Sequence, residues 1–293
     1  MSDEPRYTSQ SGAADPTARD TPKRIEPVRP RRVDRRAVLL ALGSSGVLAT
    51  AGCLTRRPQE PVGDPAPAGE TPYPPDASVR FVTPTDGAVV AGYVSVVLAA
   101  ENVRLEPAGR ARAGAGHLHL LVDTDPVTPG EMIPDDARHF HLGEGSSETV
   151  LALDPGQHRL VCQLGDGDHR ATAITDTVTV TVVGGASISI VEPADGATVT
   201  NPFVVRWATE KVRLEPAGQV RQNAGHAHLL VDTDPLPVGR LIPAGPKHLH
   251  YGGGEDEATL DLSPGEHRLV CQVGNGTHLA TPLVDEVTIT VAG

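Results

Sequence analysis

Short runs of alternating apolar and polar residues cover most of the chain after residue 79, and Gly, Pro, Asp or Asn bounds each run. Alternation with a period of two over four to eight residues is typical of strands that bury one face. In the first half, such runs lie at residues 94–100, 117–122, 149–153, 159–164 and 177–182. No convincing helical pattern interrupts them. The spacing predicts an all-β fold of the sandwich type.

The same pattern occurs twice, at a constant offset of 109 residues. Residues 79–182 and 188–291 share 56 identities over 104 positions without a gap, and each copy opens with a strand followed by an Asp-Gly turn. A repeat of domain size indicates duplication of a complete folding unit. We therefore predict two tandem immunoglobulin-like β-sandwich domains, over residues 79–185 and 186–293.

One segment of each copy resembles a corner of immunoglobulin-type sandwiches, in which a tyrosine hydroxyl bonds back to the backbone before the penultimate core strand. His158 and His267 take the position of that tyrosine. Because an imidazole nitrogen makes the same kind of hydrogen bond, we expect these two histidines to have a structural role. On the next strand, alternation places Cys162 and Cys271 on an apolar face. Buried free thiols are expected there, and a copper-ligating thiolate is the alternative.

An apolar run near the start of the chain, at residues 37–48, follows Arg35 and Arg36 and leads into small residues before Cys53. A membrane-spanning helix needs about 20 apolar residues, so this shorter run is typical of a signal peptide, predicted here for residues 1–52. The paired arginines resemble a twin-arginine export signal. The small residues before the cysteine resemble a lipobox, which implies that the Cys53 thiol is lipidated. An uncleaved N-terminal anchor is the alternative and leaves the same topology.

The stretch between this signal and the first repeat contains seven prolines and few large apolar residues. Such a composition favours an extended, solvated chain. We predict a flexible, disordered Pro-rich tether over residues 53–78. The protein is then expected at the cell surface, lipid-anchored to the outer face of the cytoplasmic membrane, where the membrane is its partner and a further envelope or surface partner stays open.

The charge balance excludes nucleic acid as a partner. The chain has 37 acidic and 25 basic residues, and its aromatic content is only 3%. Just three of the basic residues are lysines. An acidic, lysine-poor surface stays hydrated at high ionic strength, and the balance resembles that of secreted proteins of salt-loving archaea. A GC-rich genome that favours arginine over lysine is the alternative explanation.

The histidines carry the candidate chemistry, because all 12 of them occur as matched pairs, one in each copy. Strand alternation puts His117 and His119 on one face, where both imidazoles can converge on a single ion. His139 and His141 repeat this arrangement, and His169 follows in a turn that is able to fold back over the same face. Imidazole clusters suit Cu, Zn or Ni. The equivalent residues of the second copy are His226, His228, His248, His250 and His278.

Three interpretations of these histidines stay open. In the first, each domain binds one Cu or Zn ion through the histidines, and Asp123 and Asp125 contact the ligating imidazoles without binding the ion themselves. In the second, the same carboxylates hydrogen-bond neutral histidines and brace the following loop without a metal. In the third, the histidine face binds an organic ligand or a glycan. The equivalent carboxylates of the second copy are Asp232 and Asp234.

The motifs follow the same order in both copies: Gly-His-x-His-Leu-Leu-Val-Asp, His-x-His-x-Gly-x-Gly, Leu-x-Pro-Gly-x-His-x-Leu, and a turn that reads Gly-Asp-x-x-His in the first copy and Gly-Asn-x-x-His in the second. This order resembles the family of domain of unknown function 4399 over nearly all of both copies. The chain departs from the family at Leu118 and Ala227, where a histidine is usual, and at Asn275, which replaces the aspartate of the turn. A histidine common at the end of the family's domain is also absent. The resemblance implies the domain and leaves its activity open.

Sequence motifs of common enzymes do not occur in the chain. There is no Gly-x-Ser-x-Gly elbow, no His-Glu-x-x-His and no phosphate-binding glycine loop. A superoxide-dismutase-like redox enzyme shares the β-sandwich and the His-x-His strand, but it needs a further bridging histidine and a zinc-binding series that the chain lacks between His141 and His169. We therefore predict a non-enzymatic surface protein that binds a transition metal or a small ligand. A structural or adhesive envelope module is the alternative.

Overall fold

The computed structural model describes residues 73–293. The predicted signal peptide, with Arg35 and Arg36, lies outside the described residues, as do Cys53 and most of the predicted tether. Every regular element from residue 73 onward is a β-strand. In this described part no helix is long and apolar enough to cross a membrane.

Nine strands form the first domain, and they lie in two sheets that pack face to face. One sheet has the order β1-β3-β7, and the other has the order β2-β9-β8-β5-β4, with β6 also paired to β5. The strands are β1 Ser78–Thr83, β2 Ala88–Ala91, β3 Val94–Glu101, β4 Arg104–Leu105, β5 Ala115–Val122, β6 His139–Leu142, β7 Glu148–Leu151, β8 Gly156–Gly165 and β9 Ala171–Val183.

The second domain repeats this topology strand for strand. Its sheets have the orders β10-β12-β16 and β11-β18-β17-β14-β13, with β15 paired to β14. The strands are β10 Ser187–Glu192, β11 Thr198–Val199, β12 Phe203–Glu210, β13 Arg213–Leu214, β14 Ala224–Val231, β15 His248–Tyr251, β16 Glu257–Leu260, β17 Gly265–Gly274 and β18 Ala280–Val291. The predicted all-β fold of two tandem immunoglobulin-like sandwiches is confirmed.

The core of the first domain lies between its two sheets, as the alternation on β5 and β8 predicts. Leu118 and Leu120 point inward from β5, and Cys162 joins them from β8. All three side chains are fully buried, and each buried leucine contributes about 1.5–3 kcal/mol to folding. Cys162 and Cys271 are free and buried, as expected, and burial raises the pKa of both thiols.

The predicted histidine corner is present in both domains. His158 Nε2 donates to the carbonyl oxygen of Asp154 at 2.8 Å, and its Nδ1 lies 2.7 Å from Asp123 Oδ2. His267 makes the same pair of contacts with Ser263 and Asp232. Because both partners accept hydrogen bonds, the corner favours an imidazolium. These hydrogen bonds outweigh the effect of burial and raise the pKa of His158.

Residues from both domains pack together where the two sandwiches meet. Tyr93 of the first domain is fully buried and packs into the core of the second, and its hydroxyl donates to the carbonyl oxygen of Ala224 at 3.1 Å. Asn223 Oδ1 accepts a hydrogen bond from the Ala91 amide at 2.6 Å. These contacts join the two domains through main-chain as well as side-chain groups.

Two segments differ from the sequence prediction in ways that matter for the site. Tyr73, placed in the tether, is buried, and its hydroxyl donates to the carbonyl oxygen of Ala115 at 3.0 Å. Residues 139–142 form the short strand β6 along β5, although four residues with two outward histidines carry too little alternation to be recognised as a strand. This pairing fixes His139 and His141 beside His117 and His119.

Candidate metal centre

Four histidines of each domain form a compact group on the outer side of the larger sheet. In each group, one ring nitrogen per histidine can be chosen so that all four lie within 4.8 Å of one another. The groups are His117, His119, His141 and His169 in the first domain, and His226, His228, His250 and His278 in the second. Such spacing allows four imidazoles to reach one central ion.

Strand pairing brings the first three histidines of each group together. His117 and His119 point to the same side of β5, and the antiparallel pairing with β6 sets His141 directly opposite His119. The ring of His141 folds back over Gly143, where a Cβ atom would lie 1.9 Å from the imidazole. A larger residue fits at that position only if the His141 ring moves away, which explains the glycine of the His-x-His-x-Gly motif. Gly252 stands in the same relation to His250.

The fourth histidine comes from the turn after β8. His169 has a φ of +63°, a left-handed conformation that is uncommon for a residue other than glycine. The Asp166 carboxylate holds this turn by accepting hydrogen bonds from the Asp168 and Arg170 amides, both at 2.9 Å. His278 has the same conformation, with a φ of +69°. The turn therefore directs an imidazole at the strand histidines in both domains.

The long loop between β5 and β6 covers the strand histidines. The Gln163 side chain on β8 binds the loop through both the amide and the carbonyl of Val127, at 2.9 and 2.8 Å. Further along, the Ile133 amide donates to the carbonyl oxygen of His169 at 2.9 Å. As a result His117 and His119 are 0% and 2% exposed, although they lie on the outer face of a sheet.

Burial and crowding keep these imidazoles neutral. Burial, followed by the charges of neighbouring histidines, lowers the pKa of His117 to about 4 and that of His119 to about 3. The same causes lower the pKa of His226 to about 4 and that of His228 to about 3. Neutral imidazole is the form that binds a metal ion.

Several buried ring nitrogens of the two groups have no hydrogen-bond partner in the protein. They are His117 Nδ1, both nitrogens of His119, His226 Nδ1 and His228 Nδ1. The other contacts within a group join one imidazole to another: His117 Nε2 and His169 Nδ1 lie 3.3 Å apart. An unsatisfied buried polar group costs about 1–3 kcal/mol. The donor set therefore fits a bound cation better than it fits a closed hydrogen-bond network.

The remaining predicted site residues lie outside the two groups. His139 Nδ1 is bound to Asp136 Oδ1 at 2.7 Å, beside the first group but not within it. Its counterpart His248 is likewise not a member of the second group. Asp123 contacts the histidine corner rather than the group, and Asp125 Oδ1 binds Arg159 at 2.6 Å. The equivalent carboxylates Asp232 and Asp234 make the matching contacts with His267 and Arg268.

Two glutamines that hold the covering loops are not among the residues predicted from the sequence. Gln163 is 0% exposed and Gln272, its equivalent, binds the amide and carbonyl of Leu236 in the same way. The available signal was an identical glutamine in both copies, beside a buried cysteine and within a strand. An uncharged amide that stays in a buried strand needs partners for its donor and acceptor atoms. Here a loop backbone supplies them.

Comparison with known proteins places both domains in one family. The model of the family described as Domain of unknown function (DUF4399) matches residues 96–183 and again residues 205–292. The tandem repetition of this domain is thereby confirmed. None of the curated proteins searched matches the chain.

Three solved structures are similar to this chain at low identity. Fibronectin(III)-like modules of CbhA from Clostridium thermocellum share 13% identity, over 73% of this chain and 94% of that one, with a TM-score of 0.25. SGBP-B of a Bacteroides ovatus mixed-linkage glucan utilization locus shares 14% identity, over 73% and 47%, with a TM-score of 0.20. A tetra-tandem repeat of a large adhesion protein shares 14% identity, over 74% and 49%, with a TM-score of 0.22. Scores this low carry no argument about function.

Proposed function

The chain belongs to the DUF4399 family, and from the geometry of its histidine groups we propose that each domain binds one transition-metal ion, Cu(II) or Zn(II), through four imidazoles. The observation that carries the proposal is that four ring nitrogens per domain lie within 4.8 Å of one another. Imidazole suits Cu and Zn, whereas Mg and Ca prefer oxygen ligands. The bound ion would link β5, β6 and the turn after β8 through its four imidazole ligands.

The unpartnered nitrogens support this proposal. His119 is 2% exposed and neither of its ring nitrogens has a hydrogen-bond partner in the protein. A bound cation would use one nitrogen of each imidazole and would cancel part of the cost of burying it. The lowered pKa of His119 keeps this side chain ready to bind, because no proton has to leave at neutral pH.

A structural or adhesive envelope module is the second candidate function. It is favoured by the packing between the domains, in which Thr277 Oγ1 donates to Glu148 Oε2 at 2.7 Å and Tyr93 enters the core of the second domain. A pair of joined sandwiches is a suitable spacer or adhesive unit without any metal. In that case the histidines contribute only to stability, and the parent protein should bind no stoichiometric metal in a titration.

Replacing His141 and His139 in turn tests the metal proposal within a single strand. His141→Ala should weaken Cu(II) binding in the first domain by more than the roughly 10–100-fold expected for losing an outer partner of a ligand. His139→Ala is the matched control, because it lies two residues away on β6 and outside the group. Its affinity should stay close to that of the parent protein. Equal affinities in both variants, measured by isothermal titration calorimetry, would contradict the proposed ligand set.

We also propose that the mature protein is held at the outer face of the cytoplasmic membrane by a lipid on Cys53. The proposal is supported by the short apolar run, the preceding arginine pair and the small residues before the cysteine. Cys53→Ser should release the protein from the membrane fraction or mislocalise it. Cys162→Ser, which alters a buried thiol of the core, should leave membrane association intact. A Cys53→Ser protein that has lost its signal yet still sediments with membranes would argue against the anchor.

A further inference from the structure

The mouth of the first histidine group contains the chain's one methionine other than Met1. Met132 lines a cavity of about 380 Å³ together with three ligands of the group, His119, His141 and His169. Its side chain is 56% exposed although it is apolar. A methionine that packs little and lies over a metal-binding group has its thioether available as a ligand.

The backbone fixes Met132 next to one of those ligands. Met132 forms an isolated β-bridge with Arg170, the residue after His169. The following residue, Ile133, is buried, and its amide donates to the carbonyl oxygen of His169 at 2.9 Å. The methionine therefore projects from a fixed point at the edge of the group, and rotation of its flexible side chain is enough to direct the sulfur.

The second domain has the same backbone arrangement with a leucine in place of the methionine. Leu241 forms the equivalent bridge with Leu279, and the Ile242 amide donates to the carbonyl oxygen of His278 at 2.9 Å. The Leu241 side chain is 61% exposed. The position of Met132 is thus taken in the second domain by Leu241, a side chain of similar volume that has no sulfur. Asp135, which lines the cavity beside Met132, corresponds to Ala244.

We propose that the first domain also binds Cu(I), with the Met132 thioether as a ligand beside the imidazoles, whereas the second domain favours divalent ions. The inference rests on the proposed function, because the same histidines supply the other ligands. Thioether sulfur is a soft donor that selects Cu(I), and imidazole accepts both oxidation states of copper. Met132 would give the first site a preference for the reduced ion that Leu241 cannot give the second.

Exchange of the two side chains tests the inference. In a protein whose second site is removed by His226→Ala and His228→Ala, Met132→Leu should lower Cu(I) affinity by at least about tenfold, because a soft ligand is lost. Cu(I) affinity is measured without oxygen by competition with bicinchoninate, and Cu(II) affinity by calorimetry should stay unchanged. In the converse background, with His117→Ala and His119→Ala, Leu241→Met should raise the Cu(I) affinity of the second site.

X-ray absorption of the Cu(I) form gives an independent measurement. Sulfur scattering should be present with Met132 and absent after Met132→Leu. Equal Cu(I) affinity before and after this substitution, or a ligand shell of nitrogen alone, would overturn the inference. If Cu(II) still binds in that case, the proposed function stands and only the role of Met132 is wrong. If neither ion binds, both proposals fail.

Discussion

Metal-free protein is expected to lose several kcal/mol of stability between pH 7.5 and pH 5. The cause is the set of strand histidines whose pKa burial and neighbouring imidazoles lower. The pKa is lowered to about 4 in His117 and His226, and to about 3 in His119 and His228. In the unfolded chain these side chains bind protons near pH 6.5. In the folded protein the same side chains bind protons only at a much lower pH.

The direction of the effect follows from that difference in proton binding. Above pH 6.5 all four imidazoles are neutral in both states, so they make no pH-dependent contribution. As the pH falls, protonation stabilises the unfolded chain alone, by roughly 2 kcal/mol per histidine at pH 5. The corner histidines His158 and His267 act in the opposite sense, because their pKa is raised and their stabilisation is fully present below pH 6.5.

Urea unfolding in the presence of a chelator measures this loss. The free energy of unfolding should be markedly smaller at pH 5 than at pH 7.5, since a domain is stable by only about 5–15 kcal/mol. His119→Leu combined with His228→Leu serves as the control, because it removes the two most strongly lowered pKa values and should reduce the pH dependence by about half. A free energy of unfolding that is the same at both pH values would show that the strand histidines are not buried.

Replacing both strand histidines of one domain should remove one metal site and leave the other. His117→Ala with His119→Ala deletes two of the four imidazoles of the first group, and too few donors remain to hold the ion. The second group shares no ligand with the first, so its site should be unchanged. The reciprocal variant, His226→Ala with His228→Ala, should lose the other site. Metal at 100 times its dissociation constant should stabilise each intact site by about 2.7 kcal/mol.

A hydrogen-bond network without metal predicts a different result for the same variants. The parent protein would bind no stoichiometric metal, and the double substitution would reduce stability in the absence of any ion. Thermal unfolding with and without Zn(II) separates the two cases. If Zn(II) raises the Tm of the parent protein, and raises it by half as much in each reciprocal variant, the result favours two metal sites over a hydrogen-bond network.

The fold could be predicted from the sequence because the alternation on the long strands is unambiguous. On β5, Leu118 and Leu120 point to the core while His117 and His119 point outward, and the constant offset between copies identifies two domains. A period of two fixes which side chains share a face. It does not show what covers that face, and so the burial of the outward histidines required the structure.

Which histidines form each group could not be predicted for the same reason. His139 and His141 are equivalent by alternation, but the pairing of β6 places only His141 opposite His119, and Asp136 binds His139 instead. Strand register depends on contacts between distant segments, which a local pattern does not contain. Asp123 was expected beside the group on its position in β5, yet it lies at the strand's end and contacts His158.

The stoichiometry of Cu(II) binding to the purified protein tests the central claim most directly. Calorimetric titration at pH 7.5, checked by elemental analysis after removal of free metal, should give two equivalents per chain for the parent protein, one per histidine group. It should give one equivalent for the variant carrying His117→Ala and His119→Ala. Absence of stoichiometric copper in the parent protein, or unchanged stoichiometry in the variant, would contradict the account.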